Sequence, residues 1–142
     1  DPRLRGDDMK ADIRFIKGLH LFNEGEFFEC HEVIEELWLE TPVDDPWRDL
    51  YKGVIQAVAA IYQFDRGVMS GALGLHRTSV KYLKKYEPKA LGLNVSRLVK
   101  QLNDFFKLYQ KKREKIEEAE ARISQCLDSS QELPPLSIRK LL

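Results

Sequence analysis

A histidine and a carboxylate four residues apart can meet on one face of a helix. His31 and Glu35 stand at that spacing in Phe27-Phe28-Glu29-Cys30-His31-Glu32-Val33-Ile34-Glu35-Glu36-Leu37-Trp38. At about 100° per residue, Phe27, His31, Ile34 and Trp38 share one face, with Glu35 at its edge and Glu29, Glu32 and Glu36 opposite. Such an inward pair supports two readings. A His–Glu pair suits general acid–base work, and a third ligand from His76 on the apolar face of a later helix would suit zinc or iron. That is the alternative: a metalloprotein or hydrolase-like enzyme using His31, Glu35 and His76. The reading adopted is structural, a buried His31–Glu35 hydrogen bond that fixes helix packing, completed by tyrosines or Gln56. It implies a cost of about 1–3 kcal/mol for His31→Ala and calls for no cofactor. His31-Glu32-Val33-Ile34-Glu35 also departs from the zinc-protease pattern His-Glu-x-x-His, since glutamate replaces the second imidazole.

The elements that position these residues all read as helix. Residues 7–24 carry Met9, Ile13, Ile16, Leu19 and Phe22 near helical period, and Gly25 ends the run. Residues 27–39 follow after a very short turn, which predicts an antiparallel helical hairpin. Thr41-Pro42-Val43-Asp44-Asp45-Pro46 is a break, with Asp45 suited to cap the next helix and Pro46 to its first position. The third helix, residues 46–64, is apolar on two sides. Trp47, Tyr51, Val54, Ile55, Val58 and Tyr62 form one side, and Gly53, Ala57 and Ala60 the other. Only Lys52, Gln56 and Gln63 remain as a polar stripe, the pattern of a helix in the middle of a bundle. The fourth helix, residues 70–86, gathers Ala72, His76, Val80 and Leu83, flanked by Leu75, Ser79 and Tyr82. The fifth, residues 95–126, carries a heptad-like seam of Leu98, Leu102, Phe105, Tyr109, Lys112, Ile116, Ala119 and Ile123. No strand pattern and no internal repeat is evident. The expected fold is all-α, a single-domain bundle of about five helices over residues 1–127 with a long C-terminal helix and an extended tail over 128–142.

A chain of 142 residues is long enough for one real core. Lysine plus arginine and aspartate plus glutamate number 23 each, so no net field recruits nucleic acid or an anionic membrane. The longest apolar run, residues 54–62, is too short to span a bilayer. Cys30 and Cys126 match neither a disulfide framework nor a zinc cluster, and Cys30 reads as a small packing residue. Reduced thiols fit a cytoplasmic compartment, or a plastid stroma if a leader preceding Asp1 has been removed. Residues 24–40 hold seven glutamates and no lysine or arginine, a solvated face or a surface for a basic partner or a second copy. The fifth helix would reach roughly 50 Å, more than the bundle needs, which predicts a homodimer.

The stretch Phe22-Asn23-Glu24-Gly25-Glu26-Phe27-Phe28-Glu29-Cys30-His31-Glu32-Val33-Ile34-Glu35-Glu36-Leu37-Trp38 resembles the signature of the domain of unknown function 309 family. The likeness continues in Tyr51-Lys52-Gly53-Val54-Ile55-Gln56-Ala57-Val58-Ala59-Ala60 and Gly71-Ala72-Leu73-Gly74-Leu75 and covers residues 12–86. Its motif positions are His31, Glu32, Glu35, Trp38, Gly53 and Gln56, and the chain looks most like cyanobacterial and plastid members. The resemblance implies a small all-α bundle and brings no activity, substrate or cofactor with it. The combined expectation is a binding or scaffold module that acts as a homodimer and has room for a further protein partner.

Overall fold

Residues 11–125 are described by the computed structural model. Five α-helices follow in order: α1 (Ile13–Asn23), α2 (Phe27–Glu40), α3 (Arg48–Asp65), α4 (Met69–Leu83) and α5 (Val95–Gln125). The all-α expectation holds. The chain divides into two compact units, the first ending at Leu102 and the second beginning at Asn103, and α5 runs through that division. The expected boundary at 127/128 and the tail beyond it lie outside the described residues, as do Cys126 and Met9.

Local chemistry sets the helix ends. The Asp12 carboxylate accepts from the Arg14 amide at 2.8 Å and caps α1. The Arg14 side chain donates to the same carboxylate and holds it below its ordinary range. At the other end the Gly25 amide donates to Phe22 O at 3.1 Å and the Glu26 amide to Leu21 O at 2.9 Å. This paired closure needs a left-handed residue, and Gly25 has φ +79°. Ahead of α3 the Asp45 carboxylate accepts from the Trp47 amide at 2.8 Å, and regular helix begins at Arg48, two residues later than expected.

The buried stripes of α1 and α2 are offset from the expected ones. Ile13 and Ile16 face solvent at 79% and 43% exposure, while Phe15 and Gly18 are buried. On α2 the buried positions are Cys30, Ile34 and Leu37, one residue out of phase with His31 and Trp38. Gly18 explains the phase: a Cβ there would overlap the Ile34 side chain, so its absence lets α2 seat Ile34 against the α1 backbone. Phe15 meets Tyr51 of α3 with ring centroids 5.4 Å apart.

Helix α3 is the centre of the first unit and packs on both α2 and α4. Leu50, Tyr51, Gly53, Val54, Ile55, Ala57, Val58 and Ala60 are all buried, as the two-sided apolar pattern predicts. On α4 the buried positions are Ala72, Ser79 and Leu83, with the Ser79 hydroxyl donating to His76 O at 2.9 Å. After α4 and a 3-10 turn (Lys84–Tyr86), a hairpin of two-residue strands pairs β1 (Lys89–Ala90) with β2 (Leu93–Asn94). No strand was expected. Elements this short show no period-two signal, and the turn is Leu91-Gly92, both at positive φ, rather than the usual Asn-Gly.

In the second unit, Phe106, Tyr109 and Ile116 are buried whereas Phe105 and Leu108 are exposed. The four-and-three alternation of α5 is therefore real, but its upper half is shifted by one residue from the expected Phe105. The surface carries i,i+4 pairs, Arg113–Glu117 at 2.9 Å and Arg122–Glu118 at 3.3 Å.

A Cβ at Gly53 would stand 2.8 Å from Leu83 Cγ and Cδ2 and 3.2 Å from Tyr82 Cβ, so the missing side chain sets the approach of α3 and α4. Gly53→Ala is expected to destabilise by about 1–3 kcal/mol despite alanine's higher helix propensity. Equilibrium urea unfolding measures this, and an unchanged or higher midpoint would contradict the close approach.

Candidate functional site

The open edge of the α2–α3 packing carries His31, Glu35, Trp38 and Gln56 of the residues singled out by type and spacing. Because Cys30, Ile34 and Leu37 take the core, His31, Glu35 and Trp38 fall at the flank of α2, half-buried. Opposite them, the polar stripe of α3 emerges as Arg48, Lys52, Gln56 and Gln63, also half-buried.

The expected buried His31–Glu35 bond is not formed. The two side chains are 34% and 47% exposed, and His31 Nε2 lies 3.9 Å from Glu35 Oε2, beyond hydrogen-bond length. The one-residue shift in helix phase carries both to the rim. His31 instead lines a groove of about 230 Å³ with Phe27, Phe28, Ala59, Tyr62 and Gln63, where the Phe28 and Tyr62 rings stand 6.3 Å apart. Among the described residues no three His, Cys, Asp or Glu side chains are placed to hold a metal ion, so His31, Glu35 and His76 do not assemble the alternative ligand set. Glu32 is exposed on the far side of α2. Cys30 is fully buried, and burial pushes its thiol up to about 11, in keeping with a packing role.

What the structure does assemble is centred on Trp38. The Arg48 guanidinium carbon and Lys52 Nζ each lie 4.3 Å from the centre of its ring. Cations at this range are drawn to the ring's negative face, by about 0.5–1 kcal/mol when exposed and more when desolvated. Arg48 is oriented by a second bond: its Nε donates to Thr41 O at 3.3 Å, while the Thr41 hydroxyl donates to Leu37 O at 2.7 Å. These bonds satisfy carbonyls at the C-terminal end of α2. Two polar atoms at this seam are buried without a hydrogen-bond partner among the described residues, the donor Trp38 Nε1 and the acceptor Gln56 Oε1. Neither Arg48 nor Lys52 has a carboxylate within ion-pairing distance among the described residues.

The same segment decides the comparison with known proteins. Residues 15–75 match the family Domain of unknown function (DUF309). The matched segment contains all six signature positions, from His31 to Gln56, and also Arg48. The chain is similar to the "Uncharacterized protein YpuF" of Bacillus subtilis (strain 168), 33% identical over 100 residues that cover 68% of this chain and 55% of the relative. The chain thus spans about half the length of that curated relative. No solved structure matches it significantly. Among the described residues no helix is long and apolar enough to cross a membrane.

Of the six signature positions, Trp38 and Gln56 each bury a polar atom without a hydrogen-bond partner among the described residues, Gly53 works in packing, and His31, Glu35 and Glu32 stay at the surface. Arg48 and Lys52 were not singled out as site residues. Their signal was the polar i,i+4 series 48, 52, 56 on a helix otherwise apolar all round. With His31 at the rim, His31→Ala is expected to change stability by no more than about 0.5 kcal/mol in urea unfolding. A loss of about 1–3 kcal/mol would restore the buried bond.

Proposed function

We propose that the chain is a binding module that takes an acidic segment of a protein partner at the Trp38 seam. The observation that carries this reading is the pair of cations, Arg48 and Lys52, gathered on one indole without a neutralising carboxylate among the described residues. Like charges at i,i+4 repel, and the ring only partly offsets that repulsion. An incoming carboxylate would relieve it through charge-assisted bonds to the two cations. The adjoining groove at His31 offers apolar surface for a neighbouring side chain of the partner.

A labelled hexaglutamate peptide, followed by fluorescence anisotropy at low salt, tests the reading. Lys52→Gln is expected to weaken binding by about fivefold or more, and Trp38→Phe, which keeps a ring with a weaker hold on the two cations, by a smaller factor. Lys81→Gln, an exposed lysine elsewhere, should leave affinity unchanged. Absence of binding, or an equal loss in Lys81→Gln, would sink the proposal.

The homodimer belongs to this reading as a separate part, supported by a 31-residue α5 with Phe105 and Leu108 exposed at 40% and 55%. Those two residues, three apart on one face, are suited to pair with a second copy. Light scattering should give a dimer mass for the full chain and a monomer mass for Phe105→Glu/Leu108→Glu. A monomeric parent would end that part of the reading and leave the Trp38 seam unaffected.

A further inference from the structure

A second concavity in the first unit shares no residue with the Trp38 seam. It is a cleft of about 450 Å³ between the end of α1, the middle of α3, the hairpin and the first turns of α5. That volume falls in the range of small-molecule sites. Its apolar wall comes from Leu19, Phe22, Val54, Leu93 and Leu98, and Val54 is almost completely buried. Its polar groups are the side chains of Asn23, Asn94, Arg97 and Gln101. Arg97 is exposed and has no ion-pair partner among the described residues.

The backbone at the start of α5 offers little to a ligand. The amides of Val95 and Ser96 both donate to Pro88 O, at 2.9 and 3.2 Å, and the Arg97 amide donates to Asn94 Oδ1 at 3.0 Å. The helix end is thereby closed, and recognition of a charged group falls to side chains. One guanidinium without an ion-pair partner among the described residues, beside an apolar wall, selects a ligand with one anionic head and an apolar body.

We propose that this cleft binds a small amphiphilic monocarboxylate, its head held by Arg97 and its hydrocarbon body laid against Phe22, Leu98 and Val54. The amides of Asn23 and Gln101 lie among the polar groups available to the second carboxylate oxygen. The hairpin and α5 lie outside the segment matched by the family, so six of the ten lining residues come from beyond that segment.

Octanoate is the probe, with octanamide as its uncharged counterpart, both titrated into the full chain and followed by backbone amide NMR shifts and calorimetry. Octanoate should perturb Asn23, Leu93, Leu98 and Gln101, and bind about tenfold or more tighter than octanamide. Arg97→Gln should abolish that preference while leaving weak binding of both compounds. Gln101→Trp, which fills the open side from an exposed position, should block both. The proposal is overturned if octanoate perturbs no cleft residue, if the two compounds bind equally to the parent chain, or if Arg97→Gln retains the preference.

Discussion

The close approach of α3 and α4 at Gly53 is the constraint on which the first unit depends. With Leu83 where a Cβ would otherwise be, α3 is covered on that side, and its opposite side takes Tyr51, Val54, Ile55 and Val58 into the core. A helix buried on two sides has one strip left for polar groups. The position of Arg48, Lys52 and Gln56 therefore follows from packing elsewhere on the same helix. Gly18 plays the corresponding part between α1 and α2: by admitting Ile34 it sets the rotation of α2, which brings Trp38 to the strip and leaves His31 at the rim.

Charge balance over the whole chain conceals a local imbalance at that strip. Carboxylates near the seam in sequence are engaged elsewhere. Glu40 pairs with Arg14 at 3.0 Å, and Asp49, next to Arg48 along the chain, takes Lys85 at 2.6 Å. Exposed pairs of this kind contribute little to stability. Arg48 and Lys52 rest on an aromatic face instead. The Tyr86 hydroxyl, donating to Pro46 O at 2.6 Å, and the Trp47–Tyr86 ring contact at 6.0 Å hold the segment before α3 against the turn after α4. The start of α3, where Arg48 sits, is thereby anchored.

The helices themselves were legible in the residues. Period, Gly25 and the Pro-rich break located the end of α1, all of α2 and α3 within a few positions, whereas α1 starts at Ile13 rather than at residue 7, and the composition of α3 revealed its central place before any contact was known. The orientation of each helix was harder to read. On α2, hydrophobic and aromatic residues cover more than half the circumference, so a face built on His31 and Trp38 fits the pattern nearly as well as one built on Cys30, Ile34 and Leu37. The same ambiguity separates Phe105 from Phe106, adjacent and chemically identical, of which only Phe106 is buried.

The sequence by itself determined the helical class and the central helix, because these depend on local period and composition. Tertiary structure alone decided which residues meet. Bringing Trp38 under Arg48 and Lys52 and leaving His31 at the rim both depend on a rotation of α2 by about one residue, roughly 100° about the helix axis. Such a rotation costs little in hydrophobic pattern and is selected by close contacts between distant residues. Gly18 with Ile34 and Gly53 with Leu83 are the contacts that select it, and neither is visible until the chain is folded.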